Sequence, residues 1–142
     1  MNVVSIIVAI AFAVLAILHI YWASGGRLNI RKMVPVAGGE PLFIPGPVGT
    51  FVVAVILICF TMVALGLGFY NMVSVACQPY LEIAGYTIGG VLVLRSIGEF
   101  RYVGFFKRVR GSEFAKLDSW VYSPFCLLTG SAFLFLASYR PS

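Results

Sequence analysis

Residues 3–23 read VVSIIVAIAFAVLAILHIYWA, an uninterrupted run of 21 uncharged and mostly apolar residues. A helix rises about 1.5 Å per residue, so this run can cross a hydrocarbon layer about 30 Å thick. No positively charged segment precedes the run, and Arg27, Arg31 and Lys32 follow it, which favours a retained helix over a cleaved signal peptide. The stretch therefore predicts the first transmembrane helix of an integral membrane protein.

Three more apolar segments of this kind follow, at about residues 48–70, 81–98 and 123–139. Pro47 suits the first turn of the second span, and Ser123 with Pro124 is typical of an N-cap and the first helical position. We therefore predict an all-α fold, in which residues 1–142 form a single transmembrane domain built as a four-helix bundle.

The composition supports a lipid-facing surface. Of the 142 residues, 61% are hydrophobic and 11% are charged, whereas a soluble domain carries about 25% charged residues. The net charge of +5 does not indicate nucleic-acid binding, because the basic residues lie in loops between apolar runs. With one His, three Cys without CxxC spacing, and no HExxH, GxSxG or P-loop motif, the sequence predicts no metal site and no cofactor.

The basic residues also predict the orientation in the membrane. Nine of the ten fall in two loops on one face of a four-span chain. They are Arg27, Arg31, Lys32, Arg95, Arg101, Lys107, Arg108, Arg110 and Lys116. The positive-inside rule then predicts a multi-pass protein of the bacterial plasma membrane, with both loops in the cytoplasm and both termini outside.

The third span carries two charged residues at unusual depth. Glu82 and Arg95 are 13 residues apart, about 20 Å along a helix, which is less than the hydrocarbon thickness. We expect Glu82 to be structural, because a negative charge near a helix N-terminus is favourable. Arg95 is either an interfacial anchor or a functional residue whose side chain reaches towards the cytoplasmic side.

Other polar residues are predicted to lie near Arg95. Glu99 and Tyr102 share its helical face if the third helix continues. In the first span, His19 and Trp22 lie close to the same membrane boundary, where His19 either bonds locally at the interface or faces the bundle. A joint site of His19, Arg95 and Glu99 is one of these alternatives.

The two loops differ in character. Residues 99–110 predict an amphipathic helix lying on the membrane, with apolar residues on one side and cations towards anionic headgroups. The predicted membrane-surface residues are Arg101, Lys107, Arg108 and Arg110. Loop 24–47 is long, apolar and interrupted by Pro and Gly, which favours a lid over the cytoplasmic mouth of the bundle.

Small residues favour close helix packing within the membrane. Gly85 and Gly89 form a GxxxG pattern, and Ala64 and Gly68 have the same spacing. Packing inside one bundle is the favoured interpretation, with dimerisation as the alternative. The chain is therefore predicted to be a monomer or a homodimer.

Several segments together resemble a bacterial family of small four-span proteins, domain of unknown function 3995. They are His19 to Gly26, Arg95 to Arg101, Gly104 to Lys107 and Asp118 to Pro124. The resemblance covers nearly the whole chain and implies a bacterial plasma-membrane protein. It implies no activity and gives no residue a role.

The leading functional hypothesis is a non-enzymatic binder of membrane lipid or a lipid-like amphiphile, held in a cavity open to the inner leaflet. Arg95 and His19 would contact the polar head, Trp22 and Tyr102 would line the neck, and Glu99 would orient Arg95.

Two other hypotheses stay open. One is a membrane-embedded enzyme acting on a lipid, with His19 or Glu99 as the proton-transfer group. The other is a small transporter or accessory subunit, which would need a larger polar path or dimerisation.

Overall fold

The computed structural model describes residues 2–26, 36–37, 40–41, 46–98, 116 and 118–139. Four long helices form in these ranges: α1 (Asn2–Ala23), α2 (Pro47–Gly68), α3 (Gln78–Ile97) and α4 (Ser123–Ser138). The π-helical turn Asp118–Tyr122 leads directly into α4, so the fourth span covers Asp118–Ser138. All four spans are long and apolar enough to cross a membrane, which confirms the predicted all-helical four-span arrangement.

Two short elements connect the helices. The strands β1 (Val36–Ala37) and β2 (Glu40–Pro41) pair antiparallel in the first loop, with Val36 opposite Pro41. A 3-10 turn, Tyr70–Met72, follows α2. The predicted interfacial helix and most of the predicted lid lie outside the described residues.

Within the described residues, the fourth span is already helical at Asp118, five residues before Ser123. Tyr122, the residue before Ser123, already has helical dihedral angles (φ −73°, ψ −45°), so Ser123 lies inside the span and does not act as an N-cap. Pro124 explains the local geometry, because proline lacks an N–H group and its ring collides with the preceding turn of a straight α-helix. A wider π-helical turn accommodates such a residue.

The chain folds as two helical hairpins. α1 packs along α2 and α3 along α4, with less extensive packing between the two pairs. In the first hairpin, the Ser5 hydroxyl donates to the Ala64 carbonyl at 2.7 Å, and a Cβ atom at Gly68 would overlap the Ser5 side chain. The start of α1 therefore meets the end of α2.

The GxxxG pattern of α3 packs inside the bundle, as favoured by the sequence. A Cβ atom on Gly85 would lie 3.0 Å from the Ala137 Cβ atom. On Gly89 it would lie 2.9 Å from the Gly130 carbonyl oxygen. These glycines let the backbones of α3 and α4 approach closely, which provides packing where apolar burial alone gives no drive.

Aromatic side chains join the two hairpins. Phe12 of α1 makes an edge contact with Phe60 of α2, with ring centroids 5.4 Å apart. Its centroid lies 5.6 Å from that of Phe125 and 5.9 Å from that of Phe133, both in α4. Phe12 and Phe133 are almost fully buried, so this cluster is the centre of the core.

The antiparallel helices define two ends of the bundle. One end holds the last turns of α1 and α3 and the first turns of the second and fourth spans, and we call it the Arg95 end. The other holds Tyr70, and we call it the Tyr70 end. Large apolar side chains such as Val55 and Leu128 are exposed between the two ends, as expected for a surface that contacts lipid.

Candidate functional site

Arg95 forms an ion pair with Asp118 at the Arg95 end. The Arg95 Nη2 atom donates to the Asp118 Oδ1 atom at 2.9 Å. The Asp118 side chain is fully buried, whereas 34% of the Arg95 side chain is exposed. The pair therefore combines a carboxylate inside the bundle with a guanidinium that reaches its surface.

The positions of the two charges suit their helices. Arg95 lies in the last turn of α3, where the helix dipole favours a cation. Asp118 lies in the first turn of the fourth span, where the dipole favours an anion. The ion pair thus fastens the end of the α3–α4 hairpin at which the chain leaves α3 and enters the fourth span.

Two buried polar atoms near this pair have no hydrogen-bond partner among the described residues. They are the Nη1 atom of Arg95 and the hydroxyl oxygen of Ser123. Ser123 is fully buried and lies five residues after Asp118, about one turn of a π-helix. Both residues therefore lie on the inward side of the fourth span. Buried polar groups in proteins are nearly always hydrogen-bonded, so the two atoms mark this place as unusual.

His19 and Trp22 contact each other near the end of α1. The His19 Nδ1 atom lies 2.8 Å from the Leu15 carbonyl oxygen. A carbonyl only accepts, so Nδ1 carries the proton in this bond and Nε2 is left for another partner. The Trp22 ring makes an edge contact with the imidazole at a centroid distance of 5.1 Å.

The predicted site residues are only partly brought together. His19 bonds within its own helix and Arg95 bonds to Asp118, so the described contacts do not join the two residues. Glu99 and Tyr102 lie outside the described residues, as do Arg101, Lys107, Arg108 and Arg110. The joint site of His19, Arg95 and Glu99 stays a prediction.

Sequence reasoning missed Asp118 as the partner of Arg95. The two residues are 23 positions apart, so no helical spacing connects them. A usable signal was present, because Asp118 is one of only five acidic residues and lies five residues before the fourth apolar run. A cation at the end of one span and an anion at the start of the next are natural partners.

The Tyr70 end has a separate polar network. The Tyr70 hydroxyl donates to Glu82, which lies in the second turn of α3. The Gln78 side-chain amide donates to the carbonyl oxygens of Tyr70 and Val73 at 3.3 and 3.2 Å. Glu82 thus has a structural role as expected, although it acts through a hydrogen bond that fixes the α2–α3 turn.

A cavity of about 380 Å³ opens beside this network. It is lined mainly by residues that follow α2, together with Asn2 and Tyr139. This position is the opposite end of the bundle from the predicted cavity near His19 and Arg95. The described cavity therefore gives no support to ligand binding at the Arg95 end.

Comparison with known proteins gives one match. A family model described as "Protein of unknown function (DUF3995)" matches residues 12–133, which include all of α2 and α3 and most of the fourth span. Neither a curated protein nor a solved structure matches the chain.

Proposed function

The chain belongs to the family of proteins of unknown function DUF3995, and we propose that it binds the headgroup of an anionic membrane lipid at the Arg95 end of its bundle. In this proposal it is a non-enzymatic protein of a bacterial plasma membrane. The Arg95 end faces the cytoplasm, and both termini lie outside.

The observation that carries the proposal is the incomplete hydrogen bonding of the Arg95 guanidinium among the described residues. One nitrogen is bonded to Asp118, while the Nη1 atom is buried and has no partner among the residues that the structure describes. An unpaired buried donor is costly, and a charged donor more so. A headgroup oxygen would satisfy Nη1, and the exposed part of the side chain gives a lipid access to it.

Neighbouring residues favour an anionic partner. Asp118 neutralises Arg95 locally, but the chain between α3 and the fourth span adds several cations, which attract anionic lipids to this face. These are Arg101, Lys107, Arg108 and Arg110. His19 Nε2, Trp22, Glu99 and Tyr102 complete the proposed headgroup environment.

The test is native mass spectrometry of the protein purified from the membrane in mild detergent. Wild type is compared with Asp118→Asn, with the double variant Arg95→Gln/Asp118→Asn, and with Lys116→Gln. The double variant removes both charges together, so no buried charge is left unpaired. Lys116→Gln removes one exposed positive charge at the same end and serves as the matched control.

We expect wild type and Lys116→Gln to retain anionic phospholipid, and Asp118→Asn to retain more, because Arg95 is no longer neutralised. The double variant should retain at least about tenfold less, since a hydrogen bond to a charged group contributes about 1.5–3 kcal/mol. Equal retention by all four proteins would contradict the proposal.

A further inference from the structure

The hydroxyl of Ser123 differs from the other buried hydroxyls of the bundle. Four of these donate to backbone carbonyls within 3.0 Å: Ser5 to Ala64, Thr50 to Gly46, Ser96 to Val93, and Thr129 to Phe125. Most Ser and Thr side chains inside helices are satisfied in this way. Ser123 is fully buried, yet its hydroxyl has no partner among the described residues.

Ser123 and Arg95 each hold a buried polar atom without a partner among the described residues, and they come to the Arg95 end from two helices. Arg95 reaches Asp118 from α3, and Ser123 lies about one π-helical turn from Asp118 on the inward side of the fourth span. The Nη1 atom and the Ser123 hydroxyl are therefore two buried donors at the end of the bundle where Asp118 also lies. A ligand bound here would receive one charged and one neutral hydrogen bond.

We infer that Ser123 is a second binding residue of this site and that the ligand group is a phosphodiester. This inference rests on the proposed function. Two donors match a group that carries two free oxygens on one atom, as carboxylates and phosphodiesters do, and the phosphodiester is the anionic group of phospholipids such as phosphatidylglycerol. The Asp118 carboxylate selects for charge, because it repels a doubly charged phosphomonoester more strongly than a singly charged phosphodiester.

Two sources of a phosphodiester are possible, a phospholipid headgroup and a water-soluble ester. The protein is reconstituted into nanodiscs of phosphatidylcholine that contain a small fraction of phosphatidylglycerol or phosphatidic acid. Phosphatidylglycerol carries a phosphodiester and phosphatidic acid a phosphomonoester. The retained lipid is measured by native mass spectrometry after transfer to detergent. Glycerophosphoglycerol, which lacks acyl chains, is added as a competitor in a parallel sample.

The variant is Ser123→Ala, and the control is Ser96→Ala. Ser96 is also buried and lies next to Arg95, but its hydroxyl already donates to the Val93 carbonyl. We expect Ser123→Ala to retain about tenfold less phosphatidylglycerol than wild type, while Ser96→Ala retains as much as wild type. Wild type should prefer phosphatidylglycerol to phosphatidic acid. Competition by glycerophosphoglycerol would identify a soluble ligand. If glycerophosphoglycerol does not compete, the ligand is a lipid.

The outcomes separate this inference from the proposed function. If the double variant Arg95→Gln/Asp118→Asn loses lipid but Ser123→Ala does not, the site exists and the role of Ser123 is wrong. A preference for phosphatidic acid would overturn the phosphodiester assignment. If the double variant retains as much lipid as wild type, the proposed function itself fails.

Discussion

At the scale of single residues, Arg95 and Asp118 depend on each other. A carboxylate with no exposed surface is stable in an apolar bundle only when it is paired, and Arg95 supplies that pairing at 2.9 Å. Arg95 depends less on Asp118, because part of its side chain reaches the surface and can contact water or headgroups instead. The two residues should therefore respond unequally to substitution.

We predict that Arg95→Gln lowers the free energy of unfolding by about 3 kcal/mol, because it takes a cationic partner away from a fully buried carboxylate. Asp118→Asn should cost less, since Arg95 keeps access to the surface. The double variant Arg95→Gln/Asp118→Asn should recover most of the loss. The measurement is unfolding by SDS in mixed micelles, followed by circular dichroism. Additive losses in the double variant would show that the two side chains are not coupled.

At the scale of elements, α3 is the least apolar of the four spans, with a mean hydropathy of 1.2 compared with 2.9 for α1. Its buried side includes Gly85, Gly89 and Ser96, and the two glycines pack against α4. Gly98 ends the helix with φ +83°, a conformation that glycine adopts at little cost. Close contact with α4, rather than hydrophobicity, therefore holds α3 in the bundle.

Two adjacent glycines of α3 allow a matched test of this packing. A Cβ atom at Gly89 would lie 2.9 Å from the Gly130 carbonyl oxygen, whereas one at Gly90 would have no neighbour within 4 Å. Both positions are inside the helix, so the intrinsic preference for Ala over Gly is the same for both. We predict that Gly89→Ala is about 1–3 kcal/mol less stable than Gly90→Ala, the usual cost of overpacking.

The same SDS titration measures this difference. Gly90→Ala should be at least as stable as wild type. If Gly90→Ala were the more destabilising variant, the face of α3 that contains Gly90 would be the packed one, as in a dimer formed through α3.

At the scale of the whole molecule, the two hairpins differ in charge. α1 and α2 contain no charged residue, while the other two spans contain Glu82, Arg95 and Asp118. The charged and polar contacts of these three residues lie at the two ends of the bundle, and the aromatic cluster around Phe12 lies between them. This arrangement fits a membrane protein whose ends meet the interfaces and whose centre is apolar.

We predict the membrane orientation from the charge distribution and test it by cysteine labelling in intact cells. Cys77, exposed before α3, should react with a membrane-impermeant maleimide in a Cys59→Ala/Cys126→Ala background. Lys116→Cys, in a chain without the three native cysteines, should react only after the cells are permeabilised. The reverse pattern would invert the orientation, and labelling of both positions in intact cells would contradict the four-span arrangement.

The sequence by itself determined the number of spans, their approximate limits and the absence of enough charge for a water-facing surface. These properties follow from local composition, because each span must be long and apolar enough to cross the hydrocarbon layer whatever its neighbours are. The separation of Glu82 and Arg95, about 20 Å along α3, also followed from the sequence, since it depends only on helical rise.

Only the tertiary structure decided which residues meet. Arg95 pairs with Asp118, and Gly89 packs against Gly130, across sequence separations that no helical period encodes. The start of the fourth span was decided in the same way. Local preference favoured a cap at Ser123, but the helix extends to Asp118, where the carboxylate meets Arg95 on the neighbouring helix. Side-chain pairing in a membrane bundle depends on how helices are arranged around one another, and the apolar runs of the sequence do not specify that arrangement.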